Sequence, residues 1–567
     1  MRILKVFFPL LVILVLSLFS VIPFFRSGFF PIHDNTQVAR VYEMTKALSN
    51  GQFPVRWSQD LGYGFGYPIF NFYDPLPYYI GGLMGFLNFD ALASTKIMMV
   101  LAILFSAFSM YILAKEFWGK WGGVLSSLFY LYAPYHGVDI YVRGDVAEFW
   151  AYGFIPLVFY GLWKTYKEGK WKYVVVSSLS FGGIIASHNL TALMITPFLI
   201  LFAAFLFIKI KDQKRIKILY IISAFVLGLL ISASYWIPAI FEMNYTNILS
   251  QIGGGADFRD HFVCFSQLWT SPWGYGGSAK GCMDGISFMI GKYHIMLSAG
   301  LFLLSIFFIF SKKYQNYFSN EKEKLVIVIL SFFGFLIGIF FTLQVSQPIW
   351  EIIKPMAFFQ YPWRFLILIV FFSSFICGSF FWMLSKFIKE DLIRVAAYGL
   401  SFIFIVLVSV KFFLPQEVLN KTVSDYTSSY ALRWTTSKTS DEYMPKNFQK
   451  PKNYSEVASF SGLNSKVIKI TKLDIKTQEI KLRVVSLENT SLVLPVAYFP
   501  AWNGRIDGKS LTLTQNKRGM LIMVPKGEHD LILNFSQTQV EVFGNIASVA
   551  GVLSLLLGII YFRKKYE

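Results

Sequence analysis

The chain has 567 residues, of which 55% are hydrophobic and 15% charged, and a formal net charge of +19. Soluble globular proteins carry about 25% charged residues, and apolar runs of about 20 residues, each long enough to cross a bilayer, recur along most of this chain. These features exclude a single soluble domain, a disordered chain and a collagen-like repeat, and continuous rather than alternating runs argue against a porin-like barrel.

The N-terminus is basic at Arg2 and Lys5, and a Phe-rich apolar run over 6–25 follows with no A-x-A-like cleavage site before Arg26. We therefore expect an uncleaved first helix. Further crossings are expected at 92–114, 121–137, 147–164, 173–188, 190–209, 217–240, 292–311, 323–343, 363–385, 394–414 and 543–562, twelve in all, with both termini on one side. The run 76–89 is too short to cross and is expected to be interfacial or re-entrant. Lys115, Lys120, Lys164, Lys167, Lys170, Lys172, Lys209, Lys211, Lys214, Arg215, Lys217, Lys312, Lys313, Lys322, Lys324, Lys386, Lys389 and Arg394 then fall on the face of Arg2 and Lys5, as does the tail Arg563-Lys564-Lys565. By the positive-inside rule that face is cytoplasmic in a cell (plasma) membrane. The charge then needs no nucleic acid to explain it.

The segments 26–91, 138–146, 241–291, 344–362 and 415–542 are left outside. The last alternates with period two, as in Ile480-Lys481-Leu482-Arg483-Val484, and carries the hairpin dipeptide Asp507-Gly508, so an antiparallel β-sandwich is predicted. The expected organisation is a transmembrane domain over 1–414, the β-domain over 415–542, and a final helix with a basic tail over 543–567. Cys264 and Cys282 share one outer loop and can pair in an oxidising compartment, whereas Cys377 lies mid-helix. There is no C-x-x-C and no zinc-ligand spacing.

Polar chemistry gathers at four places. The first loop carries His33-Asp34, then a helix to about Leu48 with Val38, Val41, Tyr42 and Leu48 on one face and Arg40, Glu43 and Lys46 on another, as expected of a helix lying on the membrane surface. Asp34 and Gln37 match a capping box. The Gly, Pro and Tyr density from Asp60 to Tyr79, including Tyr73, predicts turns with aromatic walls of the kind that stack sugars. The second place is Arg143-Gly144-Asp145 with Glu148, again cap-like, or an acid or metal-binding pair with an arginine reaching a phosphate. The third is Ser187-His188-Asn189 and the fourth Gln360-Tyr361-Pro362-Trp363-Arg364. Each has a bland local explanation: a cap, a snorkelling arginine, a helix-end histidine, an interface tryptophan. The charge-based topology nevertheless brings Asp34, Asp145, Glu148, His188 and Arg364 to one face, and ionisable groups at a membrane edge are costly and usually functional.

The run from His33-Asp34 through Gln52-Phe53-Pro54-Val55-Arg56-Trp57 to Phe70-Asn71-Phe72-Tyr73, the three later motifs, Glu442-Tyr443-Met444-Pro445 and Tyr498-Phe499-Pro500-Ala501-Trp502-Asn503-Gly504 resemble the GT-C superfamily of polyprenyl-phosphate-dependent glycosyltransferases. Within it they resemble the bacterial and archaeal membrane proteins labelled as related to pyruvoyl-tetrahydropterin synthase. The resemblance implies a polytopic α-helical membrane protein with a GT-C-like fold and an outer β-sandwich. It implies a hexosyl- or pentosyltransferase that moves a sugar from a polyprenyl-phosphate donor, a membrane lipid, to a hydroxyl of a glycan, lipid or protein acceptor. Asp34 would be the base and Arg143 and Arg364 the phosphate ligands. His33, Tyr73, Glu148, His188 and Gln360 would contact sugar or acceptor, and Asp34 with Asp145 would hold a divalent Mg or Mn ion. Two departures stand out. Only one acid opens the first loop where such enzymes often have two, and no zinc-histidine set supports the pterin chemistry of the label. The alternatives are a non-enzymatic lipid or polysaccharide transporter, which should carry polar groups at mid-membrane depth, and a glycan-binding membrane scaffold.

Overall fold

Helices dominate because a bilayer leaves an apolar segment few other ways to satisfy its backbone N–H and C=O groups. The computed structural model describes residues 2–253 and 255–566, without the side chains of 2–6, 315 and 563–566. Arg2, Lys5, Arg563, Lys564 and Lys565 of the charge pattern thus lie outside the described side chains. Among the described residues nine helices are long and apolar enough to cross a membrane, or ten when Lys214–Ile231 and Ala233–Phe241, bent by 66°, count as one span. Two local features separate this number from twelve. The expected crossings 92–114 and 121–137 lie in one helical run, Ala91–Leu131, interrupted where Gly119 turns at φ 75°. Trp171–Ser187, with 17 residues, is shorter than an ordinary span of about 20.

The basic connections meet at one end of the bundle. Lys164 pairs with Glu116 at 3.2 Å and Lys167 with Glu323 at 2.7 Å, and Lys386 pairs with Glu321. Helix Val146–Glu168 reaches that end with its C-terminus, having begun at Asp145. Its 23 residues rise about 35 Å, so the segment holding Asp145 is at the opposite end.

At that opposite end, helix Gln37–Ser49 packs against Pro75–Gly85, where Gly81 admits Val41 and Gly82 admits Met44. With 11 residues, Pro75–Gly85 is too short to cross. Gln37–Ser49 is covered on its polar face as well, contrary to the expectation of a surface helix. Arg40 donates to Tyr78 at 3.2 Å and to Ser440 at 3.0 Å, and Glu43 accepts from the Ser58 hydroxyl at 2.8 Å and the Gln59 N–H at 3.0 Å. Burial becomes tolerable because most of the charged side chains' polar atoms find partners.

Strands begin at Ile468. The segment before it is irregular with short helical turns, including the wide turn Ala431–Thr436. One antiparallel sheet has the order β1-β2-β8-β4-β5, formed by Ile468–Ile475, Glu479–Ser486, Gly527–Phe535, Trp502–Ile506 and Lys509–Leu511. A second has the order β3-β7-β6, formed by Thr490–Leu494, Gly519–Val524 and Thr514–Asn516. Inward Leu482, Val484, Leu492, Ile522, Leu531 and Leu533 are buried, as period-two alternation requires. The turn at Asp507-Gly508 has φ of 50° and 80°. Trp57 of the first loop packs on Trp502 and Phe535, with ring centroids 5.3 and 5.0 Å away. The sheets therefore sit directly on the loop that leads to the site.

Candidate functional site

His33 and Asp34 donate their backbone N–H groups to the carbonyls of Val142 and Arg143, each at 2.9 Å. The first loop thus lies alongside the segment Asp139–Arg143, a single π turn closed by the Gly144 N–H on Asp139 O at 2.9 Å. Gly144 has φ 67°, and a Cβ there would meet Ile32 Cδ1 at 2.4 Å, so the close approach of the two segments requires glycine. Such widened turns concentrate at functional sites.

Arg143 is buried, and both of its terminal nitrogens donate to this chain's own groups. Nη1 donates to Asp139 at 2.6 Å, Glu148 at 2.9 Å and the Tyr135 hydroxyl at 3.1 Å, and Nη2 donates to Asp145 at 2.6 Å. The Trp363 ring covers its guanidinium at 4.8 Å. Asp145 also accepts the Glu148 N–H at 3.1 Å, capping helix Val146–Glu168. Against the desolvation that raises it, Arg143, then His188 and Arg364, hold the Asp145 carboxyl down at about 2. Burial first, then the neighbouring Glu148, push Asp139 well above the usual carboxylate range.

Arg364 approaches the same carboxylates without closing on them. Its Nη2 stands 4.0 Å from Asp145 and its Nε 3.9 Å from Glu148, and Nε has no hydrogen-bond acceptor among the described residues. One hydrogen bond, from Nη1 to the Phe359 carbonyl at 3.5 Å, and the Tyr361 ring, 5.4 Å from its guanidinium, hold it.

Asp34 does not cap the helix that follows it. Thr36 precedes that helix, which has no side-chain cap, and Gln37 instead donates to Gly144 O at 2.7 Å and accepts from Tyr78 at 2.6 Å. The half-buried Asp34 carboxylate has no hydrogen-bond partner among the described residues and lines the cavity. Burial first and Asp145 second raise its pKa above the ordinary aspartate value, against Arg40, Arg143 and Arg364.

The cavity measures about 220 Å³ and brings together His33, Asp34, Arg143, Asp145 and Arg364 with Tyr361, Trp363, His261 and Ser278. Glu148 and His188 stand beside it, with one potential ligand atom each from Asp145, Glu148 and His188 lying within 4.8 Å of one another. His188 Nδ1 bonds Thr191 Oγ1 at 2.7 Å. The turn that carries it is held by Asp74, which accepts from the Asn189 N–H at 3.0 Å and the Tyr235 hydroxyl at 2.8 Å. Burial pushes the Asp74 carboxyl up to about 8. His33 Nε2 bonds Tyr275 O at 3.0 Å. Four expected residues are not among those lining the cavity: Glu148 and His188 stand beside it, Tyr73 lies under the Arg40 guanidinium at 4.0 Å, and Gln360 donates to Gln251 O at 3.0 Å. The Gln52–Trp57 motif is a brace. Gln52 accepts the Arg56 and Trp57 N–H groups at 2.6 and 2.9 Å, and Arg56 donates to Ser234 O at 3.1 Å and Asn545 at 3.0 Å.

Sequence reasoning did not single out His261, Ser278 and Ile286, which line the cavity from the loop 241–291. The only local sign was the pair Cys264 and Cys282, which form a disulfide with Cα atoms 5.5 Å apart. As donors for a divalent ion, the group is Asp145, Glu148 and His188, without Asp34. The types suit such an ion, and each bonded carboxylate oxygen keeps a second lone pair.

The profile of a membrane-protein family described as a 6-pyruvoyl-tetrahydropterin synthase related domain matches residues 70–415. An uncharacterized protein of Lactococcus lactis subsp. cremoris is 26% identical over 216 residues, which is 37% of this chain and 35% of that protein, so the match spans about a third of the relative's length. Among solved structures, arabinofuranosyltransferase AftD from mycobacteria has a TM-score of 0.44 at 12% identity, covering 73% of this chain and 29% of that one. The Archaeoglobus fulgidus oligosaccharyltransferase tethered with an acceptor peptide has a TM-score of 0.44 at 12% identity, covering 81% and 61%. ArnT from Cupriavidus metallidurans bound to undecaprenyl phosphate has a TM-score of 0.34 at 12% identity, covering 72% and 89%.

Proposed function

The chain belongs to the membrane-protein family described as 6-pyruvoyl-tetrahydropterin synthase related, and for this member we propose a glycosyltransferase that moves a sugar from a polyprenyl-phosphate donor to an acceptor hydroxyl. The observation that carries the reading is a division of labour in one cavity. Among the described residues Asp34 is a carboxylate without a hydrogen-bond partner, and Arg364 is a guanidinium whose Nε lacks an acceptor. Transfer of a glycosyl group to a hydroxyl needs a base for the proton lost by the acceptor and a cation for the phosphate that leaves. Asp34 takes the acceptor proton. Arg364 meets the phosphate, since planar paired donors match its oxygens. Arg143 is assigned the task of holding Asp139, Asp145 and Glu148 in place, and it neutralises part of their charge. A divalent ion bound by Asp145, Glu148 and His188 would supply further charge stabilisation at the phosphate.

A site outside the cytoplasm of a cell membrane is part of this reading, supported by its position at the end of the bundle opposite the lysine-rich connections and by the positive-inside rule. On this reading residues 1–414 form the catalytic membrane domain, and 415–542 form an outer unit seated on the first loop. A transporter reading is disfavoured because the ionisable groups cluster at one end rather than at mid-depth. The test is purified full-length protein with a labelled polyprenyl-phosphate sugar and membrane extract as acceptor source. Label transfer by wild type and its loss in Asp34→Asn are expected. Equal transfer by the two removes Asp34 as the base, and no transfer with any polyprenyl-phosphate sugar overturns the reaction class.

A further inference from the structure

Two of the residues by which the loop 241–291 lines the cavity, His261 and Ser278, lie 17 apart in sequence. His261 Nδ1 and Ser278 Oγ are 2.8 Å apart, and the same Ser278 oxygen accepts the Trp363 indole N–H at 3.1 Å. His261 Nε2 lies 3.0 Å from Gly255 O. A carbonyl can only accept, so this contact puts the ring proton on Nε2 and leaves Nδ1 to accept from the serine hydroxyl. Both ring nitrogens and the hydroxyl proton are thereby used within the protein. Neither side chain is left as a free nucleophile or base, and the pair reads as a joint.

What the joint holds is Trp363. Its ring stacks on Tyr361 at 5.1 Å, Tyr361 in turn meets the His261 ring edge-on at 4.8 Å, and the indole covers the Arg143 guanidinium at 4.8 Å. Arg143 is the cation on which Asp139, Asp145 and Glu148 converge. A disulfide lies close to the joint in sequence: Cys264 follows His261 by three residues and Cys282 follows Ser278 by four. The loop is otherwise rich in glycine, with nine between 241 and 291, and a chain of that composition loses much conformational freedom on ordering. A covalent link beside the joint lowers the entropy that the open loop would gain.

We propose that His261 and Ser278 are positioning residues that latch the disulfide-bonded loop 241–291 onto Trp363, so that the order of this loop and the order of the Arg143–carboxylate cluster are coupled. The latch acts through Trp363, without contact with substrate. The contact chain rests on the geometry alone. Its consequence for catalysis rests on the glycosyltransferase reading, so the experiment has one arm that does not need activity.

In that arm, amide hydrogen exchange is followed in the full chain in lipid nanodiscs, for wild type, Ser278→Ala, Ser278→Thr, Trp363→Phe and the double variant Cys264→Ser/Cys282→Ser. Loss of one hydrogen bond should speed exchange about fivefold. Ser278→Ala and the double cysteine variant are expected to speed exchange at 139–148 and 358–366 as well as in the loop. Trp363→Phe, which keeps a ring over Arg143 but loses the indole donor, is expected to speed exchange in the loop 255–285. Ser278→Thr keeps the hydroxyl and should restore the wild-type pattern. Faster exchange confined to the loop in Ser278→Ala, with 139–148 and 358–366 unchanged, overturns the coupling. In the activity arm, Ser278→Ala is expected to raise the donor KM more than it lowers kcat, with rescue by Ser278→Thr. A kcat loss without a change in KM, or no rescue, rejects the positioning role. Coupled exchange in a protein that transfers no sugar leaves the latch standing and removes the glycosyltransferase reading alone.

Discussion

Arg143 and Arg364 approach the same oxygen of Asp145 to unequal distances, 2.6 Å and 4.0 Å. On the proposed reading the difference separates a structural cation from a reactive one. Arg143 is bonded to three carboxylates and a hydroxyl, and breaking a buried pair of this kind costs about 3–5 kcal/mol because uncompensated charge is left behind. Arg143→Gln is therefore expected to lower the thermal midpoint sharply or to abolish folding. Arg364 gives up little on substitution, since its contacts with carboxylates are 3.9 Å or longer. Arg364→Gln should unfold within a few degrees of wild type while transfer falls about 10²- to 10³-fold, the usual loss for one donor to developing charge. Scanning fluorimetry beside a transfer assay separates the two variants. Equal destabilisation by both would show that Arg364 also belongs to the scaffold.

Asp34 supports a prediction on pH. A base works only when deprotonated, and burial together with Asp145 raises this carboxyl above the ordinary aspartate range. Activity should therefore rise with pH along an acid limb that lies higher than an unperturbed aspartate would give. Asp34→Asn should lose about 10²- to 10⁴-fold in rate with a thermal midpoint no lower than that of wild type, because the side chain caps no helix, makes no hydrogen bond among the described residues and is costly to ionise where it stands. A loss of stability equal to the loss of rate would return Asp34 to a structural role.

The same residue shows where the sequence was informative and where it was not. Hydropathy and lysine placement sufficed to bring Asp34, Asp145 and Arg364 to one end, because both follow from the bilayer and act over whole helices. The capping-box reading of Asp34 and Gln37 failed because a match of residue types cannot say which residue precedes the first helical turn, and here it is Thr36. At Asp145 the cap bond to the Glu148 N–H does form, and the same carboxylate still serves the cluster, so a cap and a site are compatible. Arg40 meeting Ser440, Asp74 holding the His188 turn, and His261 meeting Ser278 had no local signature. Their partners are brought together by packing between distant segments, which neither period nor motif encodes.

The group Asp145, Glu148 and His188 makes metal binding measurable without activity. Mn(II) added to the purified protein should give an electron paramagnetic resonance signature of bound ion, lost in Glu148→Gln. The flanking guanidiniums repel a cation, and Arg364 stands within 4.0 Å of both carboxylates. Arg364→Gln should therefore bind Mn(II) more tightly than wild type. Binding that ignores Glu148→Gln would place any ion elsewhere and leave phosphate neutralisation to the arginines.

Asp74 gives a stability prediction whose sign is set by burial. Its carboxyl titrates at about 8 in the folded chain, against about 4 for an unperturbed aspartate. Between those values the folded state keeps a proton that the unfolded state has released, so stability falls as pH rises and levels off above about 8. The slope approaches about 1.4 kcal/mol per pH unit for one proton. The acceptor role towards the Asn189 N–H and the Tyr235 hydroxyl needs only a carbonyl oxygen, which asparagine offers. Asp74→Asn should therefore match wild type near pH 4 and exceed it by a growing margin up to about pH 8, with the difference read from thermal midpoints in one detergent. Parallel curves for the two proteins would mean that Asp74 is ionised in the fold, and the turn carrying His188 would then be held by charge rather than by a neutral hydrogen-bond acceptor.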